Sequence, residues 1–579
     1  MTDNSKTNQN YHGYETRAVE IHDFVRIWDL DEVRRRLKFM VRNDMNALVL
    51  HEPGIVDKII FPAKFLGGTS KGDSLFDIYQ QIDHAIYYHA LRENLNLYRR
   101  DYLKQLIHEA AQAGISVYLE DKELWFKDFI LKRNPEVMKN GVFCPSQPLW
   151  WEEFLPAKYQ ELFIGLPQLA GVVTSFGTGE SRLAISNTFA CDCDKCKALN
   201  PTEWHRNMVS GMYKPFREAG KKLVIRDFIY QKEEQDQFAK ALEQLPQEIV
   251  LSLKNTPHDF YPTFPDNPLI GKVGSREQWI EYDVHGQYFA WGLTPCIMTD
   301  DLRHRLRYGI ENGVRGYIMR TDWEGVQDLS CFDTPNLINL YGATILGKNP
   351  ESTVRDIYAR WLTEERLTQD SISASKLKEC IHWCVEMFEQ TWPVVRSIAY
   401  VNGTVFTDNS AFHVNLLQPT WIAETHHSLK NWYADAEDAL SLGGENVRRI
   451  LEEKDEALNV ATKLYDRVKT HNPGFTDEAY ADLVKRFEFL RTYAEGFRLT
   501  TRVYIFGRLL GEPSAEAPKF VRRPVPELFG ESVQELKDYK RRLEEFPYSY
   551  PEAVLVNPER LHCFVNDAES KMSGLLQHT

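Results

Sequence analysis

Three thiols and a small set of acidic side chains are the parts of this sequence whose types and spacing can do chemistry. Cys191-Asp192-Cys193-Asp194-Lys195-Cys196 places three cysteines within six residues. Three thiolates so close in sequence can reach one ion, with a further Cys or a His such as His205 as fourth ligand. A closed structural zinc site is the metal reading, and three reduced thiols on a loop is the equal alternative. A catalytic metal is not expected, because three thiolates suit a site without an open position.

Shortly before this cluster, Thr174-Ser175-Phe176-Gly177-Thr178-Gly179-Glu180 ends on a carboxyl group. Glycines there allow a sharp turn that presents a side chain to a cleft. A carboxyl in a partly apolar site has its pKa raised, as a general acid requires. Further acidic residues close short β-rich runs: Glu52, Glu120, Asp121, Asp227, Asp259, Glu281, Asp322 and Glu324.

The elements that position these groups follow one repeated theme up to about residue 345. Val33, Leu37, Met40 and Val41 mark one face of a helix, and Ala47 to Leu50 then reads as a buried strand ending at His51-Glu52. The theme recurs at Ile115 to Leu119, Ala170 to Val173, Leu223 to Ile225, Ile249 to Leu253, Trp279 to Tyr282 and Gly316 to Met319, with Arg17 to His22 as the first strand. Eight strands alternating with helices predict a parallel sheet closed into a (β/α)₈ TIM barrel. An open doubly wound sheet is the alternative, but no Gly-rich phosphate loop opens any of the helices. The expected layout is a polar tail over 1–12, a catalytic barrel over 13–345 and an α-helical domain over 346–579. That domain is read from long helical segments at Ser371–Thr391, Thr420–Leu442, Glu445–Lys469 and Thr476–Arg508. A less regular tail is expected after about 511, where Pro513, Pro518, Pro524 and Pro526 cluster.

Barrel enzymes carry their reacting groups at the C-terminal strand ends, which makes the acidic residues there the candidates. Around Asp259 and Glu281 the sequence resembles the core of glycoside hydrolase family 67, the inverting α-glucuronidases. The resemblance lies in Lys254 through Phe260, Pro-Leu-x-Gly at Pro268 to Gly271, Glu281 followed by Tyr288, Arg226-Asp227-Phe228, and the Gly313 to Gly316 turn. It covers roughly residues 100–345. It implies that Glu180 is the general acid, that Asp259 and Glu281 orient and deprotonate the attacking water, and that Arg226 and Lys254 engage a uronic acid, with Tyr288 also at the substrate. Inversion needs acid and base roughly 6.5–9.5 Å apart, and an Arg fork with a Lys point charge suits an anionic sugar. A structural ion pair is the competing role for Arg226 and Lys254. The family's separate β-rich domain before the barrel has no counterpart here, and Ser175-Phe176-Gly177 stands where the family places a Lys.

Trp125 and Trp323 are the aromatic residues expected in the cleft, where indole faces stack on sugar rings. The expectation is an exo-acting, inverting glycosidase that needs no cofactor beyond a structural zinc. Two readings stand beside it: a retaining or substrate-assisted, N-acetylhexosaminidase-like enzyme, and a silent sugar-binding barrel.

Composition narrows the partners. The 579 residues are 43% hydrophobic and 26% charged, which suits a soluble globular chain of two or three domains. The net charge of −14 and the lack of a long basic stripe argue against nucleic acid. No run of 18 apolar residues is present, so no membrane span is expected. Met1 to Tyr14 lacks an apolar signal core, which with nine cysteines reads as a cytoplasmic protein without a disulfide framework. The partner is then an oligosaccharide, with a homodimer through the helical domain as a further expectation.

Overall fold

The computed structural model describes residues 13–60, 86–122, 124–126, 134–139, 142–175, 191–229, 231–407, 409–425, 428–433, 436, 438–511 and 522–576. Eight parallel strands close into a barrel: β1 (Thr16–Ile21), β2 (Ala47–His51), β3 (Ser116–Asp121), β4 (Gly171–Thr174), β5 (Lys222–Arg226), β6 (Val250–Lys254), β7 (Gln278–Asp283) and β8 (Gly316–Arg320). They pair in chain order, and β1 closes the ring on β8 with Thr16 opposite Gly316 and Glu20 opposite Arg320. All eight strands read from the sequence are present, and the sheet is closed, not open.

Side chains alternate across a strand, so every second residue faces the lumen. At the lower end these positions hold Ala18, Ala47, Val49, Tyr118, Val173, Val224, Val250, Trp279 and Ile318, a buried apolar plug distinct from the core between barrel and helices. Gly316 makes room for the plug: a Cβ there would meet the Trp279 indole at 2.4 Å. Two residues further along the same strands the lumen turns polar, with Glu20, His51, Glu120, Arg226, Ser252, Glu281 and Arg320, all buried. The period that seals the bottom of the barrel thus lines its mouth with charge.

Helices Leu30–Arg42, Ile86–Gln112, Leu155–Gly165, Pro201–Ala219, Lys232–Glu243, Thr299–Glu311 and Leu337–Leu346 connect or follow the strands. Between β6 and β7 there is no helix; that connection is a loop carrying Asp259.

Beyond it the chain is helical, with Val354–Glu364, Ala374–Phe388, Thr391–Ile398, Gly444–Thr470 and the 35-residue Asp477–Gly511. A two-stranded ribbon at Tyr400–Val401 and Thr404–Val405 interrupts it. The single helix expected over Thr420–Leu442 is instead a short helix, Gln418–Glu424, followed by turns. Local side-chain bonds compete with the helix there: Ser428 Oγ accepts from Lys430 N, Asn431 Nδ2 donates to Thr425 O, and Asp438 accepts from Leu440 N. After Gly511 the described chain is also helical, with Val525–Glu545 and Pro558–Leu576. Pro524 and Pro526 mark a start and not a break, since Pro524 caps that helix and Pro526 lies in its first turn. No described helix is long and apolar enough to cross a membrane.

Candidate active site

The polar layer is one connected set of charged and polar side chains. Arg226 lies between two glutamates, its Nε 2.6 Å from Glu281 and its Nη1 2.8 Å from Glu120. Ser252 Oγ donates to the other Glu281 oxygen at 2.7 Å. Glu20 meets His51 Nδ1 at 2.7 Å and Arg320 at 3.2 Å, and His51 Nε2 faces Glu120 at 3.3 Å. His22 stacks on His51 with ring centroids 3.7 Å apart.

Above this floor, Lys254 donates to Asp259 Oδ1 at 2.6 Å. The Phe260 amide reaches the same oxygen at 3.0 Å, and the Tyr288 hydroxyl donates to Oδ2. His258, next to Asp259, holds φ +67, a left-handed backbone that non-glycine residues seldom adopt outside constrained sites. The Phe228 ring ties the two groups together, with Lys254 Nζ 3.7 Å and the Arg226 guanidinium 5.6 Å from its centroid. Tyr288 is buttressed from the helical region, where Tyr400 donates to its carbonyl at 3.0 Å.

These surroundings push the carboxyl groups apart. Burial raises Asp259, but the Lys254 ammonium, His258 and Tyr288 outweigh it and hold this carboxyl well below the usual range. Burial first, then the negative charges of Glu20 and Glu281, push Glu120 up to about 8 against the opposing pull of Arg226. Asp227 rises to about 6 through burial, opposed by hydrogen bonds from Gln235 and Asn267. Burial also lowers Lys254 to about 8, Asp259 opposing, and takes His22 and His51 well below their usual value.

Several buried polar atoms in the mouth make no hydrogen bond among the described residues: both ring nitrogens of His22, Glu20 Oε2 and Arg226 Nη2. Each such atom costs about 1–3 kcal/mol.

Of the residues singled out from sequence, Arg226, Lys254, Asp259, Glu281 and Tyr288 fall in this one cluster. Glu281 and Arg226 lie in its floor, bound to each other. Glu180 lies outside the described residues. Trp125 follows β3 and is 39% exposed, and Trp323 follows β8 and packs at 5.8 Å on Trp291. Sequence reasoning did not single out Glu20 or Arg320. Their signal was lumen parity, since each lies two residues beyond an apolar plug position on its strand.

The three cysteines of the sequence cluster have a neighbour that the spacing did not supply. Cys144 joins Cys191, Cys193 and Cys196, and the four sulfurs lie within 4.8 Å of one another. His205, the histidine considered for this place, is buried in helix Pro201–Ala219 against Phe238. Glu20, His22 and His51 also approach closely enough to share an ion. Arg320 and Arg226 beside them oppose a cation there.

No family profile matches the sequence, and no curated protein does. Solved structures do match in shape. A family GH138 enzyme targeting pectin rhamnogalacturonan II superposes over 98% of this chain and 84% of its own, with a TM-score of 0.60 and 11% identity. The chain shares that fold. Weaker likenesses are a Thermobaculum terrenum O-GlcNAc hydrolase mutant (TM-score 0.44, 10% identity, 98% and 95% covered) and a family GH115 4-O-methyl-α-glucuronidase with specificity for decorated arabinogalactans (TM-score 0.45, 12% identity, 95% and 62% covered).

Proposed function

We propose that this protein is a glycoside hydrolase that removes an acidic or otherwise modified sugar from the end of an oligosaccharide. The observation that carries the reading is Asp259: a carboxylate kept ionised by Lys254 and Tyr288, at the mouth of a closed barrel lined with cations. Glycosidic cleavage develops positive charge on the sugar ring, which an ionised carboxylate stabilises. Lys254, Arg226 and Arg320 are the donors at hand for an acidic sugar, each held in place by a carboxylate partner: Asp259, Glu120 with Glu281, and Glu20. The pectin target named for the GH138 neighbour supports a carbohydrate substrate.

In this reading Glu180, on the connection after β4, protonates the departing oxygen, and Asp259 orients the water that attacks from the opposite face, as in the inverting family 67 enzymes. Glu281 acts through Arg226 as a positioning residue, because both its oxygens are already engaged by Arg226 and Ser252. Trp125 offers an exposed indole to a sugar ring. The reaction needs no organic cofactor, since the carboxyl groups supply the proton transfers.

One observation favours a second reading, a retaining or substrate-assisted mechanism. Both oxygens of Asp259 are occupied, by Lys254, the Phe260 amide and Tyr288. That arrangement suits charge stabilisation better than uptake of a proton from water. A panel of aryl glycosides and acidic oligosaccharides, with NMR detection of the first anomer released, tests both. Inverted product supports the first mechanism, and retained product replaces it with the second. Binding of sugar with no turnover would overturn both in favour of a binding protein.

A further inference from the structure

Cys144 stands 47 residues before Cys191, in the connection from β3 to β4, whereas Cys191, Cys193 and Cys196 belong to the connection from β4 to β5. The fold brings the four together. Sγ of Cys144 lies 3.8 Å from that of Cys193 and 3.6 Å from that of Cys196, and Cys191 lies 3.6 Å from Cys196. A zinc ion with Zn–S bonds of about 2.3 Å at the centre of a tetrahedron sets its sulfurs about 3.8 Å apart. A disulfide needs about 2.05 Å. Three of the sulfur–sulfur separations thus match the edges of such a tetrahedron, and none is a disulfide bond.

The cage is supported by its surroundings in the way thiolates require. The Cys193 amide points at Cys191 Sγ at 3.5 Å, and Gln147 Nε2 approaches Cys144 Sγ at 3.8 Å, so N–H groups face the sulfurs. Two buried indoles fix the backbone at and just after Cys144: Trp150 Nε1 donates to its carbonyl at 3.2 Å, and Trp204 Nε1 donates to the Pro145 carbonyl at 2.9 Å. Cys144 is thus held in place by contacts independent of the other three cysteines. Cys380 and Cys384, one turn apart on helix Ala374–Phe388, supply only two thiols and make no comparable cage.

We propose that Cys144, Cys191, Cys193 and Cys196 form a structural zinc site that cross-links the third and fourth βα connections of the barrel. Four thiolates leave no open position, so the ion holds the two connections together and does not take part in hydrolysis. The 191–196 end of the link lies eleven residues after Glu180. The inference stands whether or not the protein is a glycosidase.

The test is metal analysis of purified full-length protein after gel filtration in chelator-washed buffer. The expected content is about one zinc per chain, released by a mercurial thiol reagent. Cys144→Ser is expected to lose most of it, while Cys380→Ser keeps it. Cobalt exchanged into the wild-type protein is expected to give the strong visible and thiolate charge-transfer absorption of a tetrahedral four-sulfur site, which keeps the proposal testable if Cys144→Ser does not fold. Zinc-free protein that gives no such cobalt spectrum would overturn it. So would full zinc in folded Cys144→Ser, or iron in place of zinc.

Discussion

Arg226 Nε lies 2.6 Å from Glu281 Oε2, and the same guanidinium reaches Glu120 at 2.8 Å. One cation thus balances two carboxyl groups in the floor of the barrel mouth, where all three side chains are shielded from water. Breaking a buried pair from one side leaves an uncompensated charge, which costs about 3–5 kcal/mol. Arg226→Met is expected to lose stability of that order in urea unfolding, and Arg226→Lys to recover only part, because a single ammonium does not reach both glutamates as a planar fork does. Wild-type stability in Arg226→Met would show that the network does not hold the barrel mouth together.

Glu120 gives the fold a pH dependence of defined sign. Its folded pKa, about 8, lies above its ordinary value of 4.5. A group raised in the folded state contributes stability that is fully present below the unfolded pKa and is lost as pH rises through the folded one. Between about pH 4.5 and 8, this residue should therefore make the wild type progressively less stable. Glu120→Gln should flatten the slope, with a Tm close to wild type at pH 5 and above it at pH 8. Parallel Tm curves for the two proteins would contradict the assignment.

Lys254 is the largest influence holding Asp259 down against burial. Without its ammonium, burial acts unopposed by the nearest charge and the carboxyl pKa rises. Lys254→Met should move the acidic limb of kcat/KM to higher pH, and Tyr288→Phe should move it less far in the same direction. Since a depressed carboxyl stabilises the fold above its unfolded pKa and loses that contribution as pH falls, Lys254→Met should also show a weaker loss of Tm below about pH 4. An unmoved limb in both variants would remove Asp259 from the ionisation that governs the rate.

Much of this architecture was legible from periodicity. The apolar runs at Ala47 to Leu50 and Leu223 to Ile225 could bury both faces only as strands of a parallel sheet, and the barrel they build has all eight strands. Thr420–Leu442 misled because its apolar residues keep a helical spacing while Ser428, Asn431 and Asp438 bond to nearby backbone groups. At the candidate site, strand ends pointed to the mouth of the barrel but not to its layers. Glu281 looks like Asp259 in sequence. Only closure of the sheet places Glu281 in the lumen against Arg226, while Asp259 rides on a helix-free loop above it. Cys144 carried no signal in its own stretch, since its partners come from the next connection.

Hydrolysis by variants of the two carboxyl groups is the most direct test of the central claim. With folded protein confirmed by circular dichroism, the wild type should release sugar from at least one acidic glycoside in the panel. Asp259→Asn and Glu180→Gln should each cut that rate by at least about 10²-fold, the lower end for removing a group that acts on the reacting atoms. A wild-type rate in folded Asp259→Asn, or no glycoside hydrolysed by the wild type, would contradict the account.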